Sequence, residues 1–223
     1  MGTSGKSAGH LVPKIITLLD DDDAFVRASA AEALGKLGPA ARAAAPILAG
    51  KLNDKVSRVR AAAVGGLGKT AGDDVTYAAL FASALNADDA SVRIAATRVL
   101  SKLPAIATAA AENLVAALVD EDEHVRAGAA RALGVAGKDI ASSVPALVQQ
   151  LRDPVDEVRV EIVRALGATG ETTAGVIAEL GATIADPSPK VRRQGVLTLR
   201  GLGPDRSEER RVGRECRSRW SPY

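Results

Sequence analysis

An arginine follows a valine at Arg27, Arg60, Arg93, Arg126, Arg159 and Arg192, each 33 residues after the one before. Five of the six have an aspartate six positions earlier: Asp21, Asp54, Asp120, Asp153 and Asp186. Guanidinium and carboxylate repeated in this way permit two kinds of chemistry. In the first, the aspartate accepts backbone N–H groups at the start of a helix and still offers oxygen to an arginine fork of its own or the adjacent unit. In the second, the arginines form a stripe of cations facing an anionic ligand. The arginine travels with a valine and a turn aspartate that keep their types, as packing positions do, so the reading favours a structural ladder. Arg93 is expected to lack its partner, because position 87 is alanine, with Asp88 and Asp89 as substitutes.

A second column behaves differently. Six positions after each valine stand Glu32, Gly65, Arg98, Arg131, Arg164 and Leu197, a series that changes type while the packing columns hold. Lys36, Lys69 and Lys102 extend its polar edge. This column is the candidate recognition surface, with Glu32 and the three lysines included. Arg98, Arg131 and Arg164 suit an acidic peptide or a phosphorylated partner. The competing reading is a solvated helix face with local charge pairs such as Glu161 with Arg164.

Other residue types able to do chemistry are sparse. His10 and His124 are the only histidines and neither precedes a glutamate, so no histidine-rich metal centre is expected. Asp20 to Asp23 lack the glycine and terminal glutamate of a calcium loop. GTSGKS at residues 2–7 resembles the end of a phosphate-binding loop, but its first glycine and preceding strand are missing. Cys216 stands alone, which excludes an intramolecular disulfide. No catalytic residue, cofactor or metal is expected.

The elements that must carry these columns follow from the same period. Leucine recurs at Leu34, Leu67, Leu100, Leu133, Leu166 and Leu199, and glycine at Gly35, Gly68, Gly134 and Gly167. Pro13, Pro46 and Pro145 open first segments, and Gly38-Pro39 closes a second one. Within the first unit Val26, Ala30, Ala33, Leu34 and Leu37 form one apolar stripe at helical spacing. The spacing predicts an all-α fold: a right-handed solenoid of six stacked two-helix units, twelve helices in all, each unit burying its apolar face against the next. Alanines such as Ala31 and Ala63 let the axes approach closely, and the glycine register is expected where a neighbouring helix leaves no room for a Cβ.

The series VRASAAEALGKLG, VRAAAVGGLGKTA, VRIAATRVLSKLP, VRAGAARALGVAG, VRVEIVRALGATG and VRRQGVLTLRGLG resembles HEAT repeats, in particular the short HEAT-like type also found in phycobilisome lyases. It covers roughly residues 9–203. The resemblance implies a scaffold or adaptor that binds a protein or peptide on its concave face. It also admits a lyase-like or chaperone-like accessory enzyme acting on a chromophore-bearing protein.

Composition bounds the rest. Residues 1–8 read as a flexible segment. Residues 204–223 read as a disordered basic tail, with six arginines against four acids, and resemble translated vector or adaptor read-through. The body before the tail balances 23 basic against 23 acidic residues, which disfavours nucleic acid as a partner. No run approaches the roughly 20 apolar residues of a membrane span. The expected location is the cytoplasm. The tail interrupts the period, so Leu197, Leu199 and Leu202 are expected to form an uncapped edge open to self-association.

Overall fold

A computed structural model describes residues 9–203. The expectations for residues 1–8, for the tail 204–223 and for Cys216 lie outside the described residues. Every regular element among the described residues is helical. Six long helices stand out: α1 (Ala24–Leu37), α2 (Ser57–Ala71), α3 (Ala90–Leu100), α4 (Glu123–Ala136), α5 (Asp156–Thr169) and α6 (Pro189–Leu202). Each packs on the next in chain order, so the neighbours in space are the neighbours in sequence.

Local signals account for their ends. Three of the helices begin at an aspartate in extended backbone whose carboxylate accepts N–H groups of the first turn: Asp23 from Phe25, Asp89 from Ser91, and Asp122 from His124 and Val125. Four end on a glycine with positive φ; at Gly38 (56°) and Gly137 (66°) the chain leaves the helix and enters a 3-10 stretch. α3 is shorter, ending at Leu100, with Pro104 just beyond to forbid its continuation.

The segments between the long helices do not each form the one continuous helix expected of a two-helix unit. They are broken into short pieces: Val12–Thr17 runs into a 3-10 turn at Leu18–Asp20, and Ala45–Gly50 is preceded by a 3-10 stretch at Gly38–Ala44. Between α3 and α4, helices Pro104–Ala109 and Ala111–Ala117 meet at a kink on Ala110. After Pro13, Pro46 and Pro145 the cause is length: seven residues separate each proline from its turn aspartate, too few to sustain an independent helix.

The core lies between the long helices and these broken segments. Leu34, Leu67, Leu100, Leu133 and Leu166 are all wholly buried, as are Ile106, Leu114 and Leu147 from the broken side. Replacing one such leucine by alanine costs about 2–5 kcal/mol. The apolar stripe of α1 is only partly covered: Ala30 and Leu34 are buried, whereas Val26, Ala33 and Leu37 are half-buried and Phe25 is exposed. None of the described helices is long and apolar enough to cross a membrane.

Candidate functional site

The first turn of each long helix carries the repeated arginine, beside the turn that joins it to its broken segment. Arg27 donates from Nε and Nη2 to Asp54 Oδ2 and Oδ1 at 2.8 and 3.0 Å, and from Nη1 to the carbonyls of Asp21 and Asp22. Asp54 Oδ1 also accepts the N–H of Val56 at 2.9 Å. The same fork joins Arg93 to Asp120, Arg126 to Asp153 and Arg159 to Asp186. The carboxylate therefore comes from the next unit, while the residue six positions before the arginine, an aspartate or Ala87, contributes its main-chain oxygen. The side chains of Arg27 and Asp54 are 7% and 8% exposed, so the pair is largely removed from water. Such a bidentate pair offsets the cost of placing a cation at a helix N-terminus.

Electrostatics follow the geometry. Arg27 holds the Asp54 carboxyl below its usual range by hydrogen-bonding the charged form, and Arg159 does the same for Asp186, in each case outweighing desolvation. The carboxylates in turn raise the guanidinium values of Arg27, Arg93, Arg126 and Arg159.

The expected break at Arg93 falls one unit earlier. Arg93 is fully engaged, by Asp120, by Glu121 and by the carbonyls of Ala87 and Asp88. Arg60 is the residue that meets Ala87 where an aspartate would be, because the fork reaches forward by 27 residues. Its Nη1 bonds the carbonyls of Asp54 and Lys55, with no carboxylate within ion-pair distance among the described residues. Arg192 likewise bonds the carbonyls of Asp186 and Pro187.

On the other face of the long helices a groove of about 580 Å³ crosses α1, α2 and α3. Five of the recognition candidates line it: Glu32 and Lys36 from α1, Lys69 from α2, Arg98 and Lys102 from α3. Its floor is α2, where Ala61, Ala62 and Gly65 leave little side chain above the backbone. A Cβ added at Gly65 would meet nothing within 4 Å, so no packing contact demands this glycine. The glycines facing the neighbouring helices differ: a Cβ on Gly35 would lie 2.9 Å from Gly66 Cα, one on Gly68 would collide with Val99, and one on Gly167 would lie 2.7 Å from Thr198 Cγ2. Arg58 also lines the groove, its guanidinium 4.8 Å above the ring of Phe25. Lys36, Lys69, Arg98 and Lys102 make no ion pair among the described residues.

Arg131 and Arg164 do not join that groove. Both close over Glu161, whose side chain is only 2% exposed: Arg131 Nη2 reaches Oε1 at 2.9 Å, and Arg164 Nη1 reaches Oε1 and Oε2 at 2.8 and 2.9 Å. Glu161 holds the Arg131 guanidinium above its usual value by the same hydrogen bond. The recognition column thus divides between an open half on α1 to α3 and a self-paired half on α4 and α5. Residue types alone revealed the i,i+3 pair of Glu161 with Arg164; they did not reveal the burial of Glu161 or its bond to Arg131 in the preceding helix. Ala61 and Ala62 were missed as floor residues because small side chains read as packing. His10 and His124 are both exposed, and no group of three His, Cys, Asp or Glu among the described residues is placed to hold a metal.

Successive long helices stacked in register, cross-linked by a repeated ion-pair rung and sharing a groove across three of them, define a helical-repeat solenoid of the HEAT and armadillo kind. The chain belongs to the HEAT-repeat family: a family model described as HEAT repeats matches residues 12–101, 77–157 and 144–210. Among solved structures it is similar to an engineered protein with 22% identity, covering 86% of this chain and 96% of that one at a TM-score of 0.67. It is similar to a designed armadillo repeat protein in complex with the peptide (KR)4, at 17% identity over 86% of this chain and 99% of that one, TM-score 0.67. A third likeness is to the complex of CpcE and CpcF of phycocyanin lyase from Nostoc sp., at 24% identity over 86% and 77% of the two chains, TM-score 0.61. No curated protein matches the sequence.

Proposed function

We propose that this protein is a non-catalytic interaction scaffold that holds an acidic segment of a partner protein in the groove across α1, α2 and α3. One observation carries the reading: an open floor of Ala61, Ala62 and Gly65 lies between walls bearing Lys36, Lys69, Arg98 and Lys102 against the single acid Glu32. The floor admits the main chain of a ligand, and the cations select its charge. The designed armadillo protein of similar fold carries a (KR)4 peptide, a basic ligand. The groove of the present chain is itself lined mainly by cations, so an acidic segment is its complement.

The wider reading is a right-handed solenoid of six register-matched units over residues 9–203, of the short HEAT-like type, working in the cytoplasm. Nucleic acid is disfavoured because the cations outside the tail are matched by as many acids. Leu197, 48% exposed on α6, supports self-association through the last unit as a secondary contact.

An accessory enzyme acting on a chromophore-bearing protein is the second reading, supported by the fold likeness to CpcE and CpcF alone. Affinity capture with the wild-type protein and with a Lys69→Glu, Arg98→Glu, Lys102→Glu variant separates the two. The scaffold reading expects a stoichiometric acidic partner that the folded variant loses; a captured tetrapyrrole, or capture unchanged by the variant, counts against it.

A further inference from the structure

The interrupted rung at Arg60 leaves a second polar cavity, of about 400 Å³, lined by Arg60, Asn53, Ser83, Asn86, Ala87 and Asp88 among others. It shares no residue with the groove. In four other units the equivalent arginine places Nε and Nη2 on both oxygens of an aspartate, at 2.7 to 3.1 Å. Arg60 keeps the other half of that arrangement, with Nη1 on the carbonyls of Asp54 and Lys55 at 2.9 and 3.4 Å. Its fork is thus anchored in the ladder orientation, while the acceptor that completes every other inter-unit rung is replaced by the methyl group of Ala87.

Of the two neighbouring acids, Asp89 is committed elsewhere, and Asp88 lines the cavity without reaching Arg60. Asp89 Oδ1 accepts the N–H and hydroxyl of Ser91 as the cap of α3. The main chain at Ala87 and Asp88 is tied to Arg93 through its carbonyls. Neither Asp88 nor Asp89 comes within ion-pair distance of Arg60 among the described residues; the Asp89 charge acts on Arg60 only through space. A half-buried guanidinium with two parallel donors and adjoining amide and hydroxyl groups is a site already shaped for one chemical group.

We propose that this cavity binds a carboxylate, supplied either as a small free acid or as an Asp or Glu side chain of a partner, which takes the place of the missing aspartate on Arg60. The inference stands apart from the groove: each can fail without the other.

Sodium acetate at neutral pH, compared with sodium chloride at equal ionic strength, is the direct probe. Acetate is expected to raise the thermal midpoint of the wild-type protein saturably by about 2–4 °C, as a ligand specific to the folded state does. Ala87→Asp, which supplies the carboxylate covalently, is expected to raise the midpoint by a similar amount and to abolish the response to acetate. A parallel reading follows the Nε–H resonance of Arg60, assigned with Arg60→Met, which acetate should shift in the wild type and leave unmoved in Ala87→Asp. A capped Gly-Asp-Gly peptide that competes with acetate for this resonance identifies a protein side chain as occupant; acetate binding without competition identifies a small free acid. Equal midpoint shifts in both proteins, or an Arg60 resonance indifferent to acetate, overturn the proposal. The resonance keeps the test decisive should Ala87→Asp fold poorly.

Discussion

Gly65 and Gly66 are adjacent in α2 and face opposite demands: a Cβ on Gly66 would lie 2.7 Å from the carbonyl oxygen of Ala31, whereas a Cβ on Gly65 would meet nothing within 4 Å. Gly66 is present because α1 passes against it, and Gly65 because the groove floor is kept bare. Gly66→Ala is expected to destabilise by about 1–3 kcal/mol through overpacking. Gly65→Ala is expected to stabilise by roughly 0.5–1 kcal/mol, the helical preference of alanine over glycine. Urea unfolding midpoints of the two variants check the opposite signs.

The rungs are held by charge removed from water, so loss of one partner is worse than loss of both. Asp54→Ala leaves Arg27, whose side chain is 7% exposed, beside no carboxylate and should lower stability by more than the double replacement does. Combining Arg27→Met with Asp54→Leu should recover most of that loss. A double-mutant cycle by chemical denaturation measures the coupling, and additive losses would refute it.

Acid should loosen the same rungs. The Asp54 and Asp186 carboxyls are held below their ordinary value of 3.8 in the folded chain, so the stability they contribute is present above that value and is lost as pH falls through the lower folded values. The arginine values are raised from an already strongly basic level, so their contribution does not change between neutral and acid pH. Stability measured from neutral pH downward should therefore hold until about 3.8 and then drop. Asp54→Asn together with Asp186→Asn should flatten that drop.

Glu161 makes Arg131 and Arg164 poor targets for testing recognition. Removing both as alanines would strand a carboxylate that is 2% exposed, at a cost of about 3–5 kcal/mol, and adding Glu161→Gln should return much of it. Arg98→Glu alone, on an exposed side chain without an ion-pair partner among the described residues, should stay within about 0.5 kcal/mol of wild type. Thermal or urea midpoints of the three proteins decide the matter.

How much of this was legible in the sequence differs from element to element. The long helices were readable because their stripes, caps and terminal glycines all repeat; α1 begins at Ala24 and ends at Leu37, where Gly38-Pro39 places the stop. The segments before them were misread, since a period shows where a unit starts without showing that the stretch after Ala44 breaks into a helix at Ala45–Gly50 and a 3-10 turn at Lys51–Asn53. The pairing of Arg with Asp was visible, but its direction was not. A separation of six in sequence suggested the aspartate of the same unit as readily as the one 27 residues on, and only the fork geometry distinguishes them. The groove was half visible: its charges lie in a variable column, while the emptiness that makes it a groove belongs to Ala61, Ala62 and Gly65 and depends on which face of α2 turns outward.

The most direct test of the account is a fluorescence anisotropy titration of the protein with two labelled peptides of equal length, one rich in Asp and Glu and one rich in Lys and Arg. The account predicts saturable binding of the acidic peptide, weakening with salt, and weakened about tenfold or more by Lys69→Glu combined with Arg98→Glu. Preference for the basic peptide, or acidic-peptide binding that the double variant leaves unchanged, would contradict it.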